Sequence, residues 1–240
     1  MLAALINRYK RFKSKYVVRQ RRQHEYLINR YYAHLIDPFF TKLVYDLGMS
    51  PNVVTVITGA LGVLVGVSFL LHQWVIGAIL LQLHHFFDGA DGNLARLTNR
   101  CTPFGAKLDQ FCDQIVRLVL FISLPIAVES PLWAKLALPA TMLFDVWVIH
   151  NVVLPFARKH GLHRARWKQW VLARGIIPGI DIFTIFFIIS IAALSGWLAQ
   201  AVFIIIALKN LDWMYRVWEC VKTNIRRRSL KGNEEELTRI

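Results

Sequence analysis

The chain has 240 residues, of which 55% are hydrophobic and 18% are charged, and its formal net charge at pH 7 is +14. A soluble domain of this length is ordinarily less apolar, so the composition favours a membrane protein and leaves little length for a separate soluble domain. The positive charge would also suit nucleic acid, so its position along the chain has to discriminate between the two partners.

Residues 1–49 form a basic N-terminal arm in which charged residues alternate with aliphatic and aromatic ones. The basic residues are Arg8, Lys10, Arg11, Lys13, Lys15, Arg19, Arg21, Arg22 and Arg30. A basic amphipathic helix on anionic lipid gains about 1 kcal/mol for each Lys or Arg near the surface. We therefore expect an interfacial amphipathic helix that contacts the bilayer, and we do not expect nucleic acid as a partner.

Six apolar stretches of membrane-spanning length follow a turn at Ser50 and Pro51. They cover 53–71, 74–97, 103–128, 131–156, 176–198 and 201–221. The sequence thus predicts an all-α, polytopic membrane protein with six transmembrane helices in one domain over 50–221 and a cytoplasmic tail over 222–240. Every second connection is basic, which by the positive-inside rule places both termini on the cytoplasmic side.

Four aspartates interrupt the second and third predicted spans, although burying one unpaired carboxylate in a membrane costs several kcal/mol. Asp88 and Asp91 lie about 60° apart around one helix, and Asp109 and Asp113, four residues apart, share a face of the next. A short turn joins the two helices, so the four side chains are expected to meet near the cytoplasmic end.

An all-oxygen ligand set suits a hard divalent cation such as Mg²⁺ or Mn²⁺ and disfavours zinc. Two such ions would clamp a pyrophosphate and stabilise both the entering and the leaving oxygen of a phosphoryl displacement. Gly89 and Gly92 would let a nucleotide approach the backbone, and Arg96 would pair with a phosphate or with an aspartate.

The aspartates belong to a two-part motif that resembles the signature of the CDP-alcohol phosphotransferases. Its first part is Asp88-Gly-Ala-Asp91-Gly92-Asn-Leu-Ala95-Arg96, and eight residues later comes Gly105-Ala-Lys-Leu-Asp109-Gln-Phe-Cys-Asp113. One inserted residue would rotate a carboxylate by about 100° off its face, so the spacing is specific. The resemblance is carried by residues 88–113 and is supported by the basic arm and the six-span layout.

The resemblance implies a role for each motif residue. Asp88, Asp91 and Asp109 would bind the metal ions, and Asp113 would take the proton of the acceptor hydroxyl while also contacting a metal. The CDP pocket would be lined by Gly92, Ala95, Arg96 and Gly105, with Thr55 as a weaker candidate. The implied reaction attacks the phosphorus that bears the donor alcohol, releases CMP and leaves a phosphodiester, as in phospholipid synthesis.

Three further polar residues are candidates for binding the acceptor. Arg117 lies four residues after Asp113, so it would either grip an acceptor phosphate or pair with that aspartate. Asp181 and Lys209 lie near later spans, where the alternatives are an acceptor contact, an interhelical ion pair or a position at the membrane boundary.

Two forms of the reaction remain open. CDP-diacylglycerol would donate a phosphatidyl group to a small polar alcohol, or CDP-ethanolamine or CDP-choline would donate to a lipid hydroxyl such as that of diacylglycerol. Gln110 stands where the second group usually has histidine, and the short chain favours the first form. An intramembrane prenyltransferase and a cation transporter are remoter alternatives, and a homodimer is left open.

Overall fold

The computed structural model describes residues 2–17 and 24–237. Arg19, Arg21 and Arg22 of the predicted basic arm, and positions 238–240 of the predicted tail, lie outside the described residues. The described chain is almost entirely helical apart from two strands of two residues each. The predicted all-α class is therefore confirmed.

The N-terminal segment folds into two helices that pack through aromatic rings. Its elements are α1 (Leu2–Tyr16), β1 (Glu25–Tyr26), a π-helical turn (Asn29–Ala33) and α2 (His34–Asp46). The Tyr9 hydroxyl donates to the Leu35 carbonyl at 2.8 Å, and the rings of Phe12 and Phe39 lie 5.0 Å apart. The aromatic side of α1 thus covers α2, while basic residues such as Lys10 are exposed.

Three long helices follow and hold the aspartate motif. They are α3 (Pro51–Leu70), α4 (Trp74–Leu97) and α5 (Pro103–Ala127), and the bounds of α4 are those predicted from the sequence. Ser50 caps α3 by accepting from the Val53 amide at 3.4 Å, and Thr102 caps α5 by accepting from the Gly105 amide at 3.0 Å. Each cap precedes a proline at the first helical position, where a missing N–H costs nothing.

Small residues let α3 approach α5 closely. Gly59, Gly62 and Gly66 face α5, and a Cβ added to Gly62 would clash with the Val116 side chain. This spacing of small residues is typical of helix pairs that pack in membranes. The close contact fixes the start of α3 beside the half of α5 that carries Asp109.

The second half of the chain is less regular than predicted. Its elements are α6 (Leu132–Val148), a π-helical turn (Ile149–Val153), α7 (Leu154–His160), α8 (Arg166–Ala173), β2 (Ile176–Ile177), α9 (Ile182–Ser195) and α10 (Leu198–Leu237). β2 pairs with β1 in parallel, with Glu25 opposite Ile176. The predicted helix over 176–198 is therefore too long, because its first residues pair with the N-terminal segment and Asp181 caps α9. α10 instead continues well past the predicted end at 221.

Four helical segments of the described chain are long and apolar enough to cross a membrane. They are Pro51–Leu70, Pro103–Ala127, Leu132–His160 and Leu198–Ser229. α4 carries the polar motif, and α9 has only 14 residues. The largest buried apolar cluster includes Phe69 of α3 and Ile189 of α9, and packs against Trp74 at the start of α4. The aspartates lie toward the opposite end of α4.

Candidate active site

Three of the four predicted metal ligands converge in the structure. One carboxylate oxygen from each of Asp88, Asp109 and Asp113 lies within 4.8 Å of the other two. Asp88 comes from the C-terminal half of α4, whereas the other two come from the N-terminal half of α5, so the short turn between the helices brings them together. The helical spacing read from the sequence accounts for this arrangement.

Asp91, the fourth predicted ligand, lines the same cavity and is held by a neighbouring helix. Its Oδ2 atom accepts a hydrogen bond from the Thr55 hydroxyl at 2.6 Å, and both side chains are buried. Thr55 is on α3, a helix that precedes both pairs of aspartates in the sequence. Thr55, the weaker candidate for the CDP pocket, thus contacts Asp91 in the described structure.

The aspartates face a cavity of about 820 Å³. Its walls come from the N-terminal segment, α4, α5, β2 and α9, and the lining residues are His24, Glu25, Tyr26, Asn29, Ala33, Asp37, His85, Asp88, Gly89, Asp91, Gly92, Arg96, Asp109, Asp113, Ile177 and Phe183. Six carboxylates and one arginine are among these described residues. So much negative charge in a confined space calls for bound cations.

The predicted CDP-binding residues divide into two groups. Gly92 and Arg96 line the cavity, and a Cβ added to Gly92 would come within 3.3 Å of the Arg96 guanidinium. Arg96 also donates to the Asn93 side chain at 3.0 Å. Among the described lining residues Ala95 and Gly105 are absent; Gly105 instead packs at the start of α5, where a Cβ would come within 2.9 Å of Asn52 Oδ1.

Arg117 pairs with the catalytic candidate, one of the two alternatives that the sequence left open. Its Nη2 donates to Asp113 Oδ2 at 2.7 Å, and both side chains are partly exposed. Arg117 also lines a small pocket with His84 and Phe186, adjoining the aspartates on the side of α9. Arg117 thus lies beside the site, and its observed partner is the Asp113 carboxylate.

The other two acceptor candidates have structural partners. Asp181 caps α9 by accepting from the Thr184 amide at 2.9 Å and also accepts from Asn29 at 3.0 Å. Lys209 forms a buried ion pair with Asp145 at 2.5 Å, which is the interhelical alternative considered from the sequence. Neither residue is among the described lining of the aspartate cavity.

Sequence reasoning missed the second wall of the cavity. Glu25 and Asp37 both line it, and His34 joins them, with Nε2 2.7 Å from Glu25 Oε2 and Nδ1 3.2 Å from Asp37 Oδ2. Asp37 is only 1% exposed. The one local signal was a carboxylate among apolar residues in the first turn of α2, directly before Pro38.

The donor set fits a hard divalent cation. Carboxylate oxygens from three residues approach one another within the range of a shared ion, and like charges at such distances repel unless a cation lies between them. Arg117 supplies one positive charge to this group. Asp88, Asp109 and Asp113 would therefore hold the ion, with Asp91 completing the set from the same wall.

Comparison with known proteins agrees with the motif. A family model described as CDP-alcohol phosphatidyltransferase matches residues 48–211, a range that includes all four aspartates. The chain belongs to this family. The resemblance read from the motif is thus confirmed, and this member of a transferase family is an integral membrane protein.

Curated relatives of two kinds are similar to this family member. Choline/ethanolaminephosphotransferase 1 of Arabidopsis thaliana is 27% identical over 206 residues, which cover 74% of this chain and 46% of the relative. Phosphatidylinositol phosphate synthase of Corynebacterium glutamicum is 37% identical over 90 residues, which cover 36% of this chain and 40% of the relative. The matched part spans less than half the length of either relative.

Solved structures show a shared fold. The crystal structure of Mycobacterium tuberculosis phosphatidylinositol phosphate synthase with CDP-DAG bound has a TM-score of 0.55 at 21% identity, covering 77% of this chain and 92% of that one. The same enzyme in complex with manganese and citrate has a TM-score of 0.51 at 19% identity, covering 75% and 86% of the two chains.

Proposed function

We propose that the protein transfers a substituted phosphate group from a CDP-alcohol to an acceptor hydroxyl and releases CMP, in phospholipid synthesis. The observation that carries the proposal is the convergence of Asp88, Asp109 and Asp113 on one large cavity. Family membership supplies the reaction class. A cavity of about 820 Å³ has room for a nucleotide diphosphate and a small alcohol together.

The cofactor would be Mg²⁺ or Mn²⁺, with two ions held by Asp88, Asp91, Asp109 and Asp113. When bound, such ions supply positive charge that offsets the charge on the departing CMP. Support comes from the all-carboxylate donor set and from the manganese complex of the Mycobacterium enzyme. Thr55 would keep Asp91 oriented through its 2.6 Å hydrogen bond.

Asp113 is the residue to which we assign the proton of the acceptor hydroxyl. The acceptor oxygen forms a bond to the phosphorus that bears the donor alcohol, the bond from that phosphorus to CMP breaks, and the acceptor proton moves to Asp113. Oδ2 of Asp113 accepts from Arg117, so the proton would go to Oδ1. Arg117 would hold the carboxylate in place, and Gly92 and Arg96 would border the CDP moiety.

CDP-diacylglycerol is the donor that we favour, with a small polar alcohol as acceptor. The solved relative with CDP-DAG bound and the phosphatidylinositol phosphate synthase of Corynebacterium support this form. The alternative, transfer from CDP-ethanolamine or CDP-choline to a lipid hydroxyl, is favoured by the Arabidopsis relative, whose match covers more of this chain. The cavity borders both polar side chains and the apolar Phe183 and Ile177, so it suits either form.

We further propose six transmembrane helices, with α4 and α9 added to the four apolar spans, and both termini in the cytoplasm. The α4–α5 turn and the α7–α8 loop are basic, which supports this orientation. α1 and α2 would lie at the membrane interface, because α1 exposes basic residues and Leu5 is 54% exposed.

The test is release of CMP by the purified full chain with Mn²⁺, one donor at a time and a panel of alcohols. Wild type is expected to release CMP only when an acceptor is present, whereas Asp88→Asn, Asp109→Asn and Asp113→Asn are expected to lose at least 100-fold. Asp46→Asn is the matched control, because that exposed carboxylate pairs with Lys42 on α2. Full turnover in the three cavity variants would refute the site assignment.

A further inference from the structure

Basic side chains from two separate segments meet at one end of the bundle, outside the lining of the aspartate cavity. One segment is the end of α7 with the α7–α8 loop, and the other is the part of α10 beyond residue 220. The sequence has no Asp or Glu between Asp145 and Asp181, nor between Glu219 and Glu234. Both segments are therefore rich in positive charge that their own residues do not neutralise.

Two contacts join these segments, and each places a guanidinium against an imidazole. Arg226 Nη1 lies 2.5 Å from His163 Nε2, and Arg227 contacts Nδ1 of His160. The His163 amide also donates to the Thr223 hydroxyl at 2.9 Å. A guanidinium can only donate, so His163 Nε2 and His160 Nδ1 must each accept. A ring nitrogen that accepts carries no proton and no negative charge, so neither contact compensates the charge of its arginine. We call His160, His163, Arg226 and Arg227 the basic patch.

The span lengths predict that the patch lies just outside the hydrocarbon layer. Two candidate spans, Leu132–His160 and Leu198–Ser229, reach it, and about 20 residues suffice to cross the hydrocarbon. Counted from Leu198, the crossing ends near Trp218, and Arg226 lies two helical turns further on. Eight helical residues rise about 12 Å, and the head-group layer accounts for about 5–7 Å of that rise, so an arginine side chain that bends back toward the membrane can reach the lipid phosphates.

Tryptophans mark the same boundary. Trp167, Trp170 and Trp218 are each about half exposed, at 52%, 60% and 49%. The Trp167 and Tyr215 rings lie 6.0 Å apart, which packs α8 against α10, and the Lys222 ammonium lies 4.9 Å from the Trp218 ring centre. Exposed tryptophans beside basic residues are typical of the interface between a membrane and water.

We propose that the basic patch binds the phosphate of an anionic phospholipid, with the acyl chains lying along the tryptophans. Arg226 and Arg227 would donate charge-assisted hydrogen bonds to the phosphate, and His160 and His163 would border it. Nucleic acid also carries phosphates, but basic residues that follow two candidate spans, on a chain whose α8 and α10 also expose three tryptophans, fit a lipid better. This inference uses none of the aspartates, so its failure would leave the proposed function standing.

Native mass spectrometry of the full chain in detergent tests the proposal, with phosphatidylglycerol and phosphatidylcholine of identical acyl chains as probes. Wild type is expected to retain phosphatidylglycerol in preference to phosphatidylcholine. Arg226→Gln and Arg227→Gln should each weaken retention about fivefold, and the double variant about 25-fold. Arg228→Gln is the matched control, because on the same helix it points about 160° away from Arg226 and should stay within twofold of wild type.

Three results would overturn the proposal. An equal loss of retention in Arg228→Gln would show that diffuse charge holds the lipid. Unchanged retention in the double variant would show that the patch does not bind the lipid. Displacement of the lipid by inorganic phosphate at the lipid's own concentration would exclude a lipid site. Thermal denaturation of every variant checks folding. If the double variant unfolds, Arg226→Gln alone carries the test, since the Arg226 side chain is exposed.

Discussion

Replacing Thr55 with valine removes one hydroxyl from the aspartate site while almost preserving the shape of the side chain. The Thr55 hydroxyl donates to Asp91 Oδ2 at 2.6 Å, and both residues are only 6% exposed. Hydrogen bonds to charged groups contribute about 1.5–3 kcal/mol, which corresponds to roughly a 10- to 150-fold change in an equilibrium constant. Partners that orient metal ligands typically change metal affinity by about 10- to 100-fold.

The assay is the Mn²⁺ concentration that gives half-maximal CMP release. Thr55→Val is expected to raise it at least tenfold, because Asp91 loses the contact that orients it toward the cavity, whereas Thr55→Ser keeps the hydroxyl and should stay within about threefold. Thr58→Val is the matched control on the same helix, since the buried Thr58 hydroxyl donates to the Val54 carbonyl at 2.8 Å. A Thr55→Val enzyme with unchanged Mn²⁺ dependence, or an equal shift in Thr58→Val, would refute the reasoning.

Three further outcomes are expected. Gly92→Ala should raise the KM for the CDP donor about tenfold with little change in the free energy of unfolding. The reason is that the added Cβ meets only the flexible end of Arg96, at 3.3 Å. An unchanged KM would contradict this expectation. Lys209→Met should destabilise the fold by about 3–5 kcal/mol in denaturant titrations by leaving buried Asp145 without its ion-pair partner, and Lys209→Met with Asp145→Leu should recover most of the loss. Removal of divalent ions by a chelator should abolish CMP release and lower the melting temperature. Mn²⁺ at 100 times its Kd should then raise the free energy of unfolding by about 2.7 kcal/mol, and a melting temperature that does not change with Mn²⁺ would argue against binding.

The parts of the site that depend on local helical geometry could be predicted from the sequence. Asp109 and Asp113 share a face because four residues make about one helical turn, and no tertiary knowledge is needed to see it. The starts of α3 and α5 follow from Ser50 and Thr102, each a capping residue before a proline. The bounds of α4 could likewise be predicted, because the turns on either side interrupt its pattern.

The wall formed by the N-terminal segment could not be predicted, because it depends on contacts between residues far apart in sequence. Glu25 reaches the cavity only because β1 pairs with β2, about 150 residues later in the chain. The same pairing takes residues 176 and 177 out of the predicted fifth helix. Asp37 also lines the cavity and contacts His34, although the sequence predicts only a membrane-surface position for this arm.

Two other differences have separate physical causes. Hydropathy marks where an apolar stretch ends, but a helix continues wherever its residues tolerate it, so α10 extends through the polar positions after 221 to Leu237. The sequence also does not say which way a polar side chain points. Lys209 was an acceptor candidate on its position alone, and only the packing of α6 against α10 shows its pairing with Asp145.

The central claim is that the aspartates of α4 and α5 hold a divalent metal ion in the cavity, and anomalous diffraction from crystals grown with Mn²⁺ tests it most directly. The account predicts an anomalous peak within coordination distance of the carboxylates of Asp88, Asp109 and Asp113, and loss of that peak in Asp109→Asn. A fully occupied Mn²⁺ site elsewhere in the chain, with no peak between these three carboxylates, would contradict it.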